Sequence, residues 1–421
     1  MATQHPHIAT TPEGTHVIVP LHFPPPHSHH TPSPGSACPV PHQPKTASTG
    51  GCVYAFPGSI NPHAPFSSLL KSSLLDIGIL KSTLLPSLTL QTSLAGIAYV
   101  TGRLTDRLET KDLIRPLGPL INAWWNAVFR HTTINIFASG YGSPPTVSFL
   151  TALKALSGAE RLLLGGVTLW AGRLFYRLLS RAQRRKDSPM YETLKKTWGF
   201  SWNKVLWQIY LPEVMLQACI GLPFSVAFRL GCPYTAGIGN AVGIGMDEKW
   251  KGFGQAVSVG LWTAGLVLEW LADWQLDEFK KKNSEATGGE GWEKKKKICK
   301  EGVWGIVRHP NYLGDALVHL SFPLLMYASD MLVPIALLGP VANYLFLRYV
   351  GGDKKDEYSR TRRYSSADVS KKVEFDRYKR ERNSFWPDTS QVYNKWTWVV
   401  VGCGVAGALG YQGLLLLQSH G

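Results

Sequence analysis

Apolar runs of membrane-spanning length recur along this chain, with blocks of lysine and arginine between them. A helix needs about 20 mostly apolar residues to cross the hydrocarbon core. Segments 84–101, 117–138, 162–179, 206–228, 253–272, 313–330, 332–350 and 396–417 meet that description, the second interrupted by Arg130 and His131. Little more than Ser329, Asp330 and Met331 separates the sixth from the seventh, which predicts a tight helical hairpin. The expected fold is all-α: a polytopic membrane helix bundle of about 7–8 transmembrane helices. It would occupy residues 67–420.

The basic blocks test this expectation, because they should all lie on the cytoplasmic side. "SRAQRRKDSPMYETLKK" follows the third run, "KKKNSEATGGEGWEKKKK" the fifth, and a long basic loop from Lys354 to Arg382 the seventh. Two spans separate each block from the next, so all three face one side. Eight spans would then leave both chain ends on the lumenal side. Distributed in this way, the net charge of +15 is a topology signal and not a nucleic-acid surface.

Other features exclude further classes. Residues 1–66 are rich in proline and histidine, with only Glu13 and Lys45 charged. Too little apolar surface is available there to offset the ordering entropy, so a disordered tail is expected. "HSHH" at 27–30 lacks the fixed geometry a metal site requires, and no metal is expected. The cysteines (38, 52, 219, 232, 299, 403) form no CxxC pair, which argues against a zinc site or a disulfide scaffold. The N-terminus shows no secretory signal. "GIGNAVGIG" at 237–245 has no strand before it, so it reads as a loop and not a nucleotide cradle.

Polar residues four apart share a helix face. The third run carries Arg173, Arg177 and Arg181, and the fifth Glu269, Asp273 and Asp277. The sixth carries Asn311, Asp315 and His319; the seventh ends in Arg348, followed by Asp353. Snorkelling explains arginines near a membrane boundary. It does not explain the carboxylates, which are costly in a bilayer and usually face a bundle interior or a wet cavity. Complementary charges at one depth predict a polar cavity for an anionic, hydrogen-bonding ligand. Arginine forks would hold it, beside an apolar body able to receive a lipid.

"GVWGIVRHPNYLGD" (302–315) resembles the signature shared by membrane sterol reductases, steroid 5-alpha-reductase-like proteins and isoprenylcysteine methyltransferases. "LWAGRLFYRLLSR" (169–181), with Asp187 and Tyr191 after it, is similar to the third-helix signature of the steroid 5-alpha-reductase-like family of unknown function. "LEWLADWQLDEFK" (268–280) resembles that family's acidic helix with its AD-x-Q core, and "FDRYKRERNSFWP" (375–387) its Tyr…Phe-x-Pro element. "YVGGDKKDEYSRTRRY" (349–364) looks like fungal-type members. The resemblance spans about residues 120–415.

What it implies is an NADPH-dependent reductase of a carbon–carbon double bond in a steroid, enoyl or terpenoid-like substrate. Asp273 and Glu269 would meet the adenosine or nicotinamide, and Asn311, Tyr312 and Asp315 the ribose and nicotinamide. Arg308 and Arg348 would meet the phosphates. Arg173, His309 and Asp353 would complete the cofactor site, with Gly302, Gly305 and Gly314 as close-approach positions. Tyr312 and Glu269 are the catalytic candidates; Trp170 stands where related reductases carry a catalytic tyrosine, a role for which Tyr312 or Tyr176 would be the substitute. The alternatives are a methyltransferase using S-adenosylmethionine, whose later glutamate pair has Asp356 and Glu357 as nearest candidates, and a non-catalytic sterol- or lipid-binding protein. The family implies the endoplasmic reticulum membrane with a cytosol-facing cofactor site; the terminal "QSHG" is no retention signal.

Overall fold

The protein is described as a computed structural model covering residues 9–10, 16–17, 84–129, 132, 148–184, 191, 195, 201–229, 246–285, 298–350, 352–367 and 369–420. Apart from residues 9–10 and 16–17, the tail expected to be disordered lies outside these residues, as do the 237–245 loop, Arg130, His131 and Asp187. The chain separates into two units, Met1–Thr49 and Gly50–Gly421. In the first, β1 (Ala9–Thr10) pairs antiparallel with β2 (His16–Val17).

Regular structure described in the second unit is helical. It comprises α1 (Leu85–Thr105), α2 (Ile114–Trp124, extended by a π-turn to Phe129), α3 (Phe149–Ala155) and α4 (Gly158–Arg184). Next come α5 (Trp202–Ile220), α6 (Leu222–Arg229) and α7 (Glu248–Glu285). Then follow α8 (Pro310–Ala328), α9 (Leu338–Leu345, with a π-turn to Val350), α10 (Asp353–Ala367), α11 (Val369–Glu381) and α12 (Lys395–His420).

Local signals set several boundaries. Ser157 and Glu160 form a capping box before α4: Ser157 N–H donates to Glu160 Oε2 (2.7 Å) and Glu160 N–H to Ser157 Oγ (3.2 Å). Pro310 opens α8, where its missing N–H costs nothing. Gly302 adopts φ +69°, a left-handed conformation that favours glycine, and the next N–H, of Val303, donates to Gln275 Oε1 at 2.8 Å. The glutamine of the AD-x-Q core thus pins the turn that precedes "RHPNY".

Among the described residues, three helices, α4, α7 and α12, are long and apolar enough to cross a membrane, or four if the pair α5–α6, bent by 46°, is one broken span. Each of the eight apolar runs nevertheless contains a described helix. The remaining helices are shorter or more polar, and for α8 the reason is visible. Most of its residues are buried, including Asp315, His319, Phe322 and Met326, so it needs no lipid-compatible surface. The stretch Lys354–Arg382, expected as a basic loop, instead folds into the helix pair α10 and α11, whose Tyr364 and Phe375 rings meet edge to face at 5.6 Å.

Glycines let α7 meet its neighbours closely. A Cβ on Gly314 would lie 2.5 Å from Gly265 O and 2.8 Å from Glu269 N, so α7 and α8 touch backbone to backbone in antiparallel register. On the opposite side, Gly260 of α7 faces Gly404 and Ala408 of α12. Such small-residue contacts are how helices associate where no hydrophobic effect drives them. Trp170 (α4), Phe224 (α6) and Phe322 (α8) anchor one core cluster, and Leu268 (α7), Leu313 (α8), Phe346 (α9 extension) and Phe385 anchor a second.

Candidate functional site

Helices α4 and α7 run parallel, so their four-residue stripes meet in register. Arg173 pairs with Glu269 and with Asp273 (2.9 Å). Arg177 pairs with Asp273 (2.9 Å) and Asp277 (3.0 Å). Across the α7–α8 contact, Asp315 is 2% exposed and pairs with Arg115 of α2. Asn343 Nδ2 of α9 donates to Asp315 Oδ1 at 2.9 Å, and His319 Nδ1 lies 3.1 Å from the same oxygen. Five helices therefore place charge and amide groups in one buried cluster.

That cluster is not saturated by its own members. Arg115 Nε, Arg173 Nε, Glu269 Oε2, Asn343 Oδ1, Asn311 Oδ1, Trp170 Nε1 and His319 Nε2 are buried without a hydrogen-bond partner among the described residues. Buried polar atoms are almost always satisfied, so donors and acceptors left over together leave capacity that water or a polar ligand can take up.

A second cluster lies at the start of α8. Arg308 grips Glu357 of α10 with both arms (2.8 and 2.9 Å), and its remaining NH1 donates to the carbonyl oxygens of Lys379 (2.9 Å) and Arg382. His309 Nε2 lies 3.2 Å from Glu357 Oε1, and its ring stacks on Tyr312. Asp353 takes Arg348 and the Ser384 hydroxyl. Backbone N–H groups of Arg308 and His309 donate to Asn383 O and Ser384 O, docking "NSFWP" against "RHPNY". The four segments that carry the family resemblance are therefore brought together.

Of the expected cofactor residues, Arg173, Asp273, Asp315 and the catalytic candidate Glu269 lie in the unsaturated cluster. Asn311 and Tyr312 sit on the first turn of α8 beside it. Gly314 is occupied by the packing of α8 on α7. Arg308, His309, Arg348 and Asp353 belong to the second cluster, where Arg308 already serves a carboxylate and two carbonyls. Within the unsaturated cluster, Arg115 and Arg173 each keep a buried Nε–H without a hydrogen-bond partner among the described residues. Arg115 and Asn343 were not foreseen. A single arginine before a weak apolar run and one asparagine inside another leave no periodic trace. Trp170, where related reductases carry tyrosine, is fully buried and edge-on to His319, with ring centroids 4.6 Å apart.

Burial alone would raise the Glu357 carboxyl, but the hydrogen bonds from His309 and Arg308 outweigh it and hold it down to about 2. A carboxylate depressed in the folded state contributes stability that is complete above its ordinary range, near 4.5. That stability is lost as pH falls toward 2. Glu357→Gln is expected to unfold at lower denaturant than the parent at pH 7, with the gap shrinking between pH 4.5 and pH 2. Denaturant titration at several pH values checks this, and a gap that does not narrow rejects the clamp.

An apolar groove of about 220 Å³ lies further along α4, α7 and α8, lined by Leu162, Gly166, Leu169, Val259, Trp262 and Phe322 among others. No curated protein and no solved structure matches the chain. The family described as "Protein of unknown function (DUF1295)" matches residues 128–381, which include α4, α7, α8 and the Arg308–Glu357 clamp. A polar cluster at one end of an apolar helix bundle, carried by these segments, is thus the setting in which this chain belongs to the DUF1295 family, a family that includes steroid 5-alpha-reductase-like proteins.

Proposed function

We propose that the protein is an integral membrane reductase that binds NADPH in the unsaturated cluster and reduces a carbon–carbon double bond of a lipophilic substrate. The observation that carries this reading is the leftover hydrogen-bonding capacity of Arg115, Arg173, Glu269, Asn311 and Asn343. Arginine N–H groups suit phosphate, and carboxylate and amide oxygens suit ribose hydroxyls or a carboxamide. When bound, the nicotinamide would supply hydride; the chain's own contribution is orientation, charge and exclusion of water. Arg115 and Arg173 would hold the anionic part, while Glu269 and Asp315 fix both arginines in place.

The same reading carries about 7–8 spans, a fungal-type relation within the family, and the endoplasmic reticulum membrane. The basic C-terminal end of α4, the lysines closing α7 and the basic pair α10–α11 all gather at the end of the bundle that holds the clusters. By the positive-inside tendency that end faces the cytosol, where NADPH is available.

Methyl transfer is the second reading. It is favoured by one observation: Arg308 and His309 of the "RHP" element close on Glu357, in the segment where those enzymes carry their glutamate pair. Thermal unfolding of the detergent-purified full chain with NADPH, NADH or S-adenosylmethionine separates the readings. NADPH at about 100 times its Kd is expected to add ~2.7 kcal/mol of apparent stability, and Arg173→Met to abolish the gain. Stabilisation by S-adenosylmethionine alone replaces the reductase with a methyltransferase; stabilisation by none leaves a lipid-binding protein.

A further inference from the structure

One helical turn beyond Asp315, the polar cluster ends at His319, which is 3% exposed. Its Nδ1 lies 3.0 Å from Asp315 O and 3.1 Å from Asp315 Oδ1. Both of those atoms only accept, so Nδ1 carries a hydrogen and Nε2 is the nitrogen free to gain or release a proton. Nε2 is buried without a partner among the described residues. Trp170 stands edge-on at 4.6 Å on one side, and Phe322 at 6.3 Å on the other.

Phe322 is also a wall of the apolar groove. The groove lies between α4, α7 and α8, and Phe322 of its lining links it to the His319 ring. Exposed Gly165 and Leu169 border it, on a surface suited to lipid. Its lining is apolar apart from Arg161, Ser258, Ser321 and the Trp262 indole. The Ser258 and Ser321 hydroxyls donate to carbonyls of their own helices, whereas Trp262 Nε1 has no partner among the described residues. An apolar slot with the Trp262 N–H and the Arg161 guanidinium along it, and an exchangeable nitrogen beyond its wall, fits a lipophilic molecule with a hydrogen-bond-accepting head.

We propose that His319 is the proton donor of the reaction, acting on a lipophilic conjugated carbonyl compound that enters from the bilayer through this groove. The inference rests on the reductase reading. When bound, the nicotinamide would supply hydride to the β-carbon, and the double-bond electron pair would move toward the carbonyl oxygen. As the carbonyl re-forms, the α-carbon takes the Nε2 proton of protonated His319. The carbon–carbon double bond is reduced, the nicotinamide is oxidised and the imidazole is left neutral. Asp315 keeps Nδ1–H in place throughout, and water on the polar side returns the proton. Arg115 of α2, Arg173 of α4 and Glu269 of α7 are the charged groups around this pair.

The test uses the full chain in lipid nanodiscs, with a 4-en-3-one steroid bearing a photoreactive diazirine as probe. Three readouts are taken: the NADPH thermal shift, light-dependent labelling of α4 and α8 peptides, and product formation. The wild type is expected to show all three. His319→Gln is expected to keep the shift and the labelling and to lose product formation by at least ~100-fold, the usual minimum for a positioned acid. Gly166→Leu, whose added side chain meets Phe322 and Trp262, is expected to keep the shift and lose the labelling. Undiminished product formation by His319→Gln overturns the assignment. So does a wild type that binds NADPH yet neither labels nor reduces the probe. Absence of any NADPH shift defeats the reductase reading instead, and labelling then decides the groove separately.

Discussion

Asp315→Ala is expected to cost about 3–5 kcal/mol of stability, because it leaves the largely buried guanidinium of Arg115 without its counter-charge. Asn343 Nδ2 and His319 Nδ1 lose their shared acceptor at the same time. Denaturant titration in detergent, followed by far-UV circular dichroism, should show a much earlier midpoint, and the proposed NADPH shift should vanish. The double variant Asp315→Leu with Arg115→Met removes both charges together. It is expected to regain most of the stability, since replacing a whole buried pair by apolar groups is often neutral or better. Its cofactor shift should stay absent. Equal midpoints for Asp315→Ala and the parent would mean that this pair does not hold α2 against α8.

Gly314→Ala is the second large effect, and its cause is steric. The new methyl would lie 2.5 Å from Gly265 O and 2.8 Å from Glu269 N. Both are backbone atoms, so no side chain can rotate away and the helices must part. Overpacking of this kind costs about 1–3 kcal/mol. The functional loss is expected to be greater: Glu269 and Asp273 on α7 would shift against Asp315 on α8, and displacements near 1 Å can cost ~100-fold. Gly172→Ala is the control, since a Cβ there meets nothing within 4 Å. Retained NADPH affinity in Gly314→Ala would show that the α7–α8 spacing does not set the site.

Hydropathy and period are local properties, and they were enough to place helices in all eight apolar runs. The four-residue spacing of Arg173 and Arg177 against Asp273 and Asp277 was legible for the same reason, because each stripe repeats along one helix. The helical state of Lys354–Arg382 was not: its charge hides the thin apolar stripe of Tyr364, Phe375 and Tyr378 that docks it. The polar content of α8 likewise concealed how deeply that helix is buried.

The sequence by itself determined a helical membrane protein with ionisable groups at one depth and the motifs of its family in order. Only the tertiary structure decided which charges neutralise one another. Arg308 looks like an anion ligand in the sequence, yet a carboxylate 49 residues away takes its fork. Arg115 looks like a boundary residue, yet it meets Asp315 from 200 residues away. Partner choice depends on helix register and crossing, which close glycine contacts set, and no local window of sequence contains both members of such a pair.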